Sequence, residues 1–60
     1  MREYLVVFDD GHDYIEMRFD SKHRAGSRKN REDAIETACK RFGGHAINYK
    51  IVDIRKLEDD

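Results

Sequence analysis

Cysteine is almost missing from this chain. Cys39 is the only one, so no disulfide can form within it, and a lone thiol fits a reducing cytoplasm better than secretion. Long apolar runs are missing too. The longest, Tyr4 to Phe8, is too short for the hydrophobic region of a signal peptide, so none is expected. It falls further short of the ~20 residues of a membrane helix. The signatures of catalysis are absent as well. There is no Ser-His-Asp order, no phosphate-binding loop and no dinucleotide fingerprint, and Gly43-Gly44 reads as a helix stop. His12, His23 and His45 fall in three separate connectors, and neither Cys-x-x-Cys nor His-Glu-x-x-His occurs. These absences exclude the common enzyme and metal classes. No catalysis, cofactor or metal is expected. Repeats, linkers and low-complexity segments are lacking too.

What remains is a patterned chain of 60 residues, 42% charged and 38% hydrophobic. That length allows one domain, 1–60, with a modest core. Patterning argues for folding and against disorder. Glu3 to Phe8 predicts a strand, with Tyr4, Val6 and Phe8 on one face and Leu5 and Val7 on the other. Apolar residues on both faces suit a central strand. Asp-Asp-Gly-His-Asp, residues 9–13, predicts a hairpin turn. Its Asp9, Asp10, His12 and Asp13 are metal-ligand and acid–base types, but a tight turn points them apart, and the segment reads as a soluble turn. Asp13 to Asp20 returns as an edge strand in which Ile15, Met17 and Phe19 alternate with Tyr14, Glu16 and Arg18.

A helix follows. Asn30 is the expected N-cap, with Glu32 and Asp33 at the positive end of the dipole. Ala34, Ile35, Ala38, Cys39 and Phe42 form one apolar stripe, and Gly43 stops the helix. Ile35, Ala38, Cys39 and Phe42 are expected to pack on Ile15, Met17 and Phe19, with Cys39 as a buried, inert thiol. The last strand, about Tyr49 to Leu57, breaks alternation near Ile51-Val52, where a bulge would reconcile its two faces. Glu58 to Asp60 reads as a frayed acidic tail. The fold class is therefore α+β: β-β-α-β, a three-stranded antiparallel sheet of order 2-1-3 with one helix packed on one face.

Two surfaces emerge as candidate sites for a partner. One helix covers one face of a sheet whose central strand is apolar on both sides. The bare face carries either Tyr4, Val6 and Phe8, the candidate partner-binding set, or Leu5 and Val7, and it would dock a second copy or another protein. The other surface is charged. Residues 1–20 hold two bases and six acids, whereas residues 21–31 hold five bases and no acid. Lys22, His23, Arg24, Arg28, Lys29 and Arg31 are the candidate binding residues of this basic loop. Nucleic acid or another polyanion, an acidic protein surface, or nothing beyond solvent could answer it. A protein ranks above nucleic acid because the block contains no aromatic residue to stack on bases.

The block also carries a resemblance. Ser21, His23, Arg24, Ala25, Gly26, Ser27, Asn30, Glu32, Asp33 and Ala34 resemble a segment of small uncharacterised proteins of phages and prophages. Over the helix EDAIETACKRF and the strand IVDIRKL, the order is similar to the phage T7 inhibitor of host RNA polymerase. The resemblance implies a phage-type accessory protein that works by binding, in the cytoplasm of a bacterial host. The expected function is a small non-catalytic module docking on a macromolecule. The alternatives are a nucleic-acid binder using residues 22–31 and a homodimer that buries its sheet.

Overall fold

The computed structural model describes residues 1–57; the expected acidic tail lies outside them. Strand β1 (Arg2–Asp9) and strand β2 (Tyr14–Ser21) form a hairpin, helix α1 (Arg28–Phe42) follows, and a 3-10 turn (Gly44–Asn48) leads into strand β3 (Lys50–Lys56). Both neighbours of β1 run antiparallel to it in the order β2-β1-β3, so β2 and β3 are parallel and α1 makes the crossover between them. This is the expected β-β-α-β sheet with the most apolar strand at its centre.

The hairpin turn is built by its own acids. Asp9 Oδ1 accepts the Gly11 N–H at 2.8 Å, and Asp10 Oδ1 accepts the N–H groups of His12 and Asp13 at 2.8 and 2.7 Å. Gly11 has φ +99°, a conformation that costs glycine little. The amides of Asp13, then of His12, hold the Asp10 carboxyl below its ordinary pKa.

Cross-strand register decides which face is covered. Tyr4, Val6 and Phe8 pair with Phe19, Met17 and Ile15 on one side, and Val6 and Phe8 pair with Ile54 and Ile51 on the other. Leu5 and Val7 instead lie between Arg18 and Arg55 and between Glu16 and Asp53. At Val6 and Phe8 the first face is apolar across all three strands, and its one cross-strand charge, Lys56 opposite Tyr4, stays exposed at the end of β3, so covering this face desolvates little charge. The helix packs there, and Tyr4, Val6 and Phe8 are wholly buried. Their assignment to an open, partner-binding face is thereby corrected.

Ala34 and Ala38 are the fully buried residues of the helical stripe, and their small side chains allow close approach to the sheet. Ile35, Cys39 and Phe42 are half-buried at the margin of the core, as is Ile15. Cys39 is thus less enclosed than its position on the stripe suggests. Ala46, in the 3-10 turn, completes the core. The expected bulge is present: Val7 pairs with Asp53 and Phe8 with Ile51, which leaves Val52 as the extra residue.

The helix begins earlier than Asn30. Ser27 is the N-cap, its hydroxyl accepting the Asn30 N–H at 3.3 Å. Asn30 lies inside the first turn and is fully buried. Its Oδ1 accepts the Gly26 N–H at 3.0 Å, and its Nδ2 donates to the His23 carbonyl at 3.1 Å. Ser27 can cap because a hydroxyl suffices, whereas the longer amide of Asn30 reaches two backbone groups upstream. At the other end Gly43, at φ +116°, donates its N–H to the Cys39 carbonyl, as a helix stop should.

Candidate functional site

The basic block spans a hydrogen-bonded connector and the first turn of α1, rather than a loop that ends at a cap. Its connector is fixed from several sides. The Tyr4 hydroxyl donates to the His23 carbonyl at 2.9 Å, and the His23 N–H donates to Ser21 Oγ at 3.0 Å. Ser21 Oγ in turn donates to Asp33 at 2.7 Å. Ser21 is buried, so one small polar network joins β1, β2 and α1 beneath the block. On this base the structure divides the candidate residues. Lys22 and Arg24 are exposed on the connector, and His23 is half-buried. Arg28, Lys29 and Arg31 belong to the first turn of α1, all exposed.

That first turn contains no acid. Glu32 and Asp33, expected to favour the dipole there, sit a turn too late once Ser27 is the cap. Three cations at the positive end of a helix oppose its macrodipole, each by a few tenths of a kcal/mol up to about 1 when exposed. The ion pair these cations make among the described residues, Arg28 to Glu32 at 3.4 Å, is solvent-exposed and stabilises little. The sequence thus departs from local helix chemistry at its most basic point, as sequences do at functional or strained sites.

The open sheet face offers less than its sequence promised. Leu5 and Val7 are half-buried, and the surrounding Glu16, Arg18, Asp53 and Arg55 are exposed, Arg55 lying 3.7 Å from Asp53. Long charged stems cover much of this face.

A surface not anticipated from the sequence lies on the other side of the helix. An open groove runs between α1 and β3, lined by Ile35, Cys39, Ile47, Tyr49 and Ile51. Arg28 and Arg31 stand at its helix-start end, and Glu32, Glu36 and Lys50 form its rim. Ile47 is 68% exposed there, and Val52, on the nearby bulge, is 54% exposed. Ile47, a large apolar residue left in water within an apolar groove, is the feature most like a docking surface. The signal was Ile47 in a polar connector. It does not predict a groove until β3 is placed beside the helix.

Among the described residues, no group of three or more His, Cys, Asp and Glu side chains is arranged to hold a metal ion. No helix of the described residues is long and apolar enough to cross a membrane. No protein-family model, no curated protein and no solved structure matches the chain.

Proposed function

We propose that this chain is a small non-catalytic module that docks on a protein surface both apolar and acidic, through the α1/β3 groove and the basic start of α1. The observation that carries the reading is the exposed Ile47 beside a groove headed by Arg28 and Arg31. An apolar anchor supplies affinity, while the cations select acidic partners and speed encounter. The network under residues 21–30 supports this, because a backbone already held by hydrogen bonds loses less entropy on binding than a free loop. The resemblance of residues 21–34 to small phage proteins extends the proposal to a phage-type accessory protein acting on a host protein in the bacterial cytoplasm.

Nucleic acid is the second reading, favoured by the five clustered bases and disfavoured by the lack of an aromatic residue among them. One experiment separates the two. The immobilised chain is exposed to bacterial lysate, with and without nuclease, beside Ile47→Glu and a variant with Lys22, Arg24, Arg28 and Lys29 all changed to Gln. The expected result is a protein that survives nuclease, is lost with Ile47→Glu and is weakened by the four-fold change. Capture that vanishes with nuclease and falls with salt at a log–log slope near about −4 would move the function to phosphate binding. Capture that neither variant alters would remove the docking surface altogether.

A further inference from the structure

The two free edges of the sheet are unlike. β3 carries the bulge at Val52 and a lysine at each end, Lys50 and Lys56, which are devices that keep an edge from pairing. β2 has neither, and the charges it does carry, Glu16, Arg18 and Asp20, are of both signs, so a second strand can complement them. From Tyr14 to Ser21 it runs in unbroken register with β1, without lysine, proline or bulge. We propose that β2 pairs antiparallel with β2 of a second copy across a two-fold axis at Met17, joining two sheets into one of six strands.

Hydrogen-bond parity defines what that edge offers. The Leu57 N–H donates to the Glu3 carbonyl at 3.0 Å, so the backbone groups of Glu3, Leu5 and Val7 face β3. Those of Tyr4, Val6 and Phe8 then face β2, where their partners are Phe19, Met17 and Ile15. Alternation turns the N–H and C=O groups of Tyr14, Glu16, Arg18 and Asp20 outward to the free edge. A second strand must meet these four with its own outward set, and the side chains of all four are exposed.

Charge selects among the registers that satisfy this. An axis at Arg18 sets Arg18 against itself and Glu16 against Asp20, and an axis at Glu16 opposes two glutamates. An axis at Phe19 opposes unlike charges but leaves Tyr14 to Glu16 without strand partners. An axis at Met17 uses the whole stretch from Tyr14 to Asp20. It places Glu16 opposite Arg18 of the second copy, and Arg18 opposite its Glu16, as hydrogen-bonded cross-strand pairs. Beyond the strand it also brings the acidic hairpin of one copy (Asp9, Asp10 and Asp13) beside Lys22 and Arg24 of the other. The basic block then has two tasks: Lys22 and Arg24 serve the dimer, while Arg28 and Arg31 stay at the groove. Each dimer presents two grooves at its outer ends, one beside each bulged β3.

Sedimentation equilibrium combined with amide hydrogen exchange, over micromolar to millimolar concentration, tests the pairing. The parent should convert to dimer as concentration rises, with the amides of Glu16, Arg18 and Asp20 gaining protection in parallel. Arg18→Glu should stay monomeric, because it sets acids against acids across the axis. Combining it with Glu16→Arg should restore the dimer, because opposite charges again face each other. Both positions are exposed, so the melting curves of the variants should stay close to the parent's. A strict monomer at about 1 mM would overturn the proposal. So would a dimer in which those three amides exchange freely, or one indifferent to Arg18→Glu.

Discussion

Replacing Asn30 distinguishes two roles that look alike in the sequence. An N-cap accepts one hydrogen bond at a half-exposed helix start, and Asp serves there as well as Asn. Asn30 instead is fully buried, accepts from Gly26 N–H and donates to the His23 carbonyl. Asn30→Ala removes both bonds, each contributing about 1 kcal/mol, and leaves a small void, for a total of about 2–3 kcal/mol. A domain of this length has roughly 3–9 kcal/mol of stability altogether. The loss should lower Tm by roughly 10–20 °C. Asn30→Asp should cost more than Ala, because a carboxylate cannot donate to the His23 carbonyl and would be buried against it. Ser27→Ala should cost about 1 kcal/mol, the usual loss of a cap. Urea unfolding followed by circular dichroism reads all three. An Asn30→Asp variant as stable as the parent, with Ser27→Ala neutral, would refute the reasoning and restore Asn30 as the cap.

Other outcomes follow from the same packing. Tyr4→Phe keeps the ring stacked on Phe19 but removes the bond to the His23 carbonyl, so it should cost about 1 kcal/mol by urea unfolding and raise amide exchange in residues 22–26. Phe42→Ala would cost about 3–5 kcal/mol for a fully buried ring, but Phe42 is half-buried, so a loss of about 2 kcal/mol is expected in the same assay. Asp10 has a lowered folded-state pKa, so its turn contributes stability above the unfolded carboxylate pKa and loses it as pH falls through the folded value. Asp10→Asn should therefore melt below the parent at neutral pH, and the gap should narrow in acid. A gap independent of pH would show that the carboxylate charge plays no part.

Most of the fold was legible because it rests on local periodicity. Alternation over Tyr4 to Phe8 and over Ile15 to Phe19, the Asp-Gly turn, the helical stripe and Gly43 each signal one element without reference to the rest. The bulge was legible too, since Ile51-Val52 broke the alternation of an otherwise regular strand. The helix start was misplaced because Ser27 and Asn30 are both good capping residues. The choice depended on His23 and Gly26, which the fold brings beside the Asn30 amide.

The sequence by itself determined a three-stranded sheet with one helix, a central first strand and a block of five bases, because composition and spacing act over a few residues. Tertiary structure alone decided which face of β1 is covered. Both faces of that strand are apolar, and only the cross-strand neighbours, hydrophobic around Val6 and charged around Leu5, favour one. It also decided where apolar surface remains. Ile35 on the helix is well separated in the chain from Ile47 and Ile51, and they line one groove because α1 crosses from β2 and leaves the side of the sheet at β3 partly uncovered. The division of the basic block is of the same kind. Lys22 and Arg24 sit on a connector and Arg28 and Arg31 on a helix wall because Ser27 ends one and begins the other, while Asn30 turns back to Gly26 and to the His23 carbonyl that Tyr4 of β1 also holds.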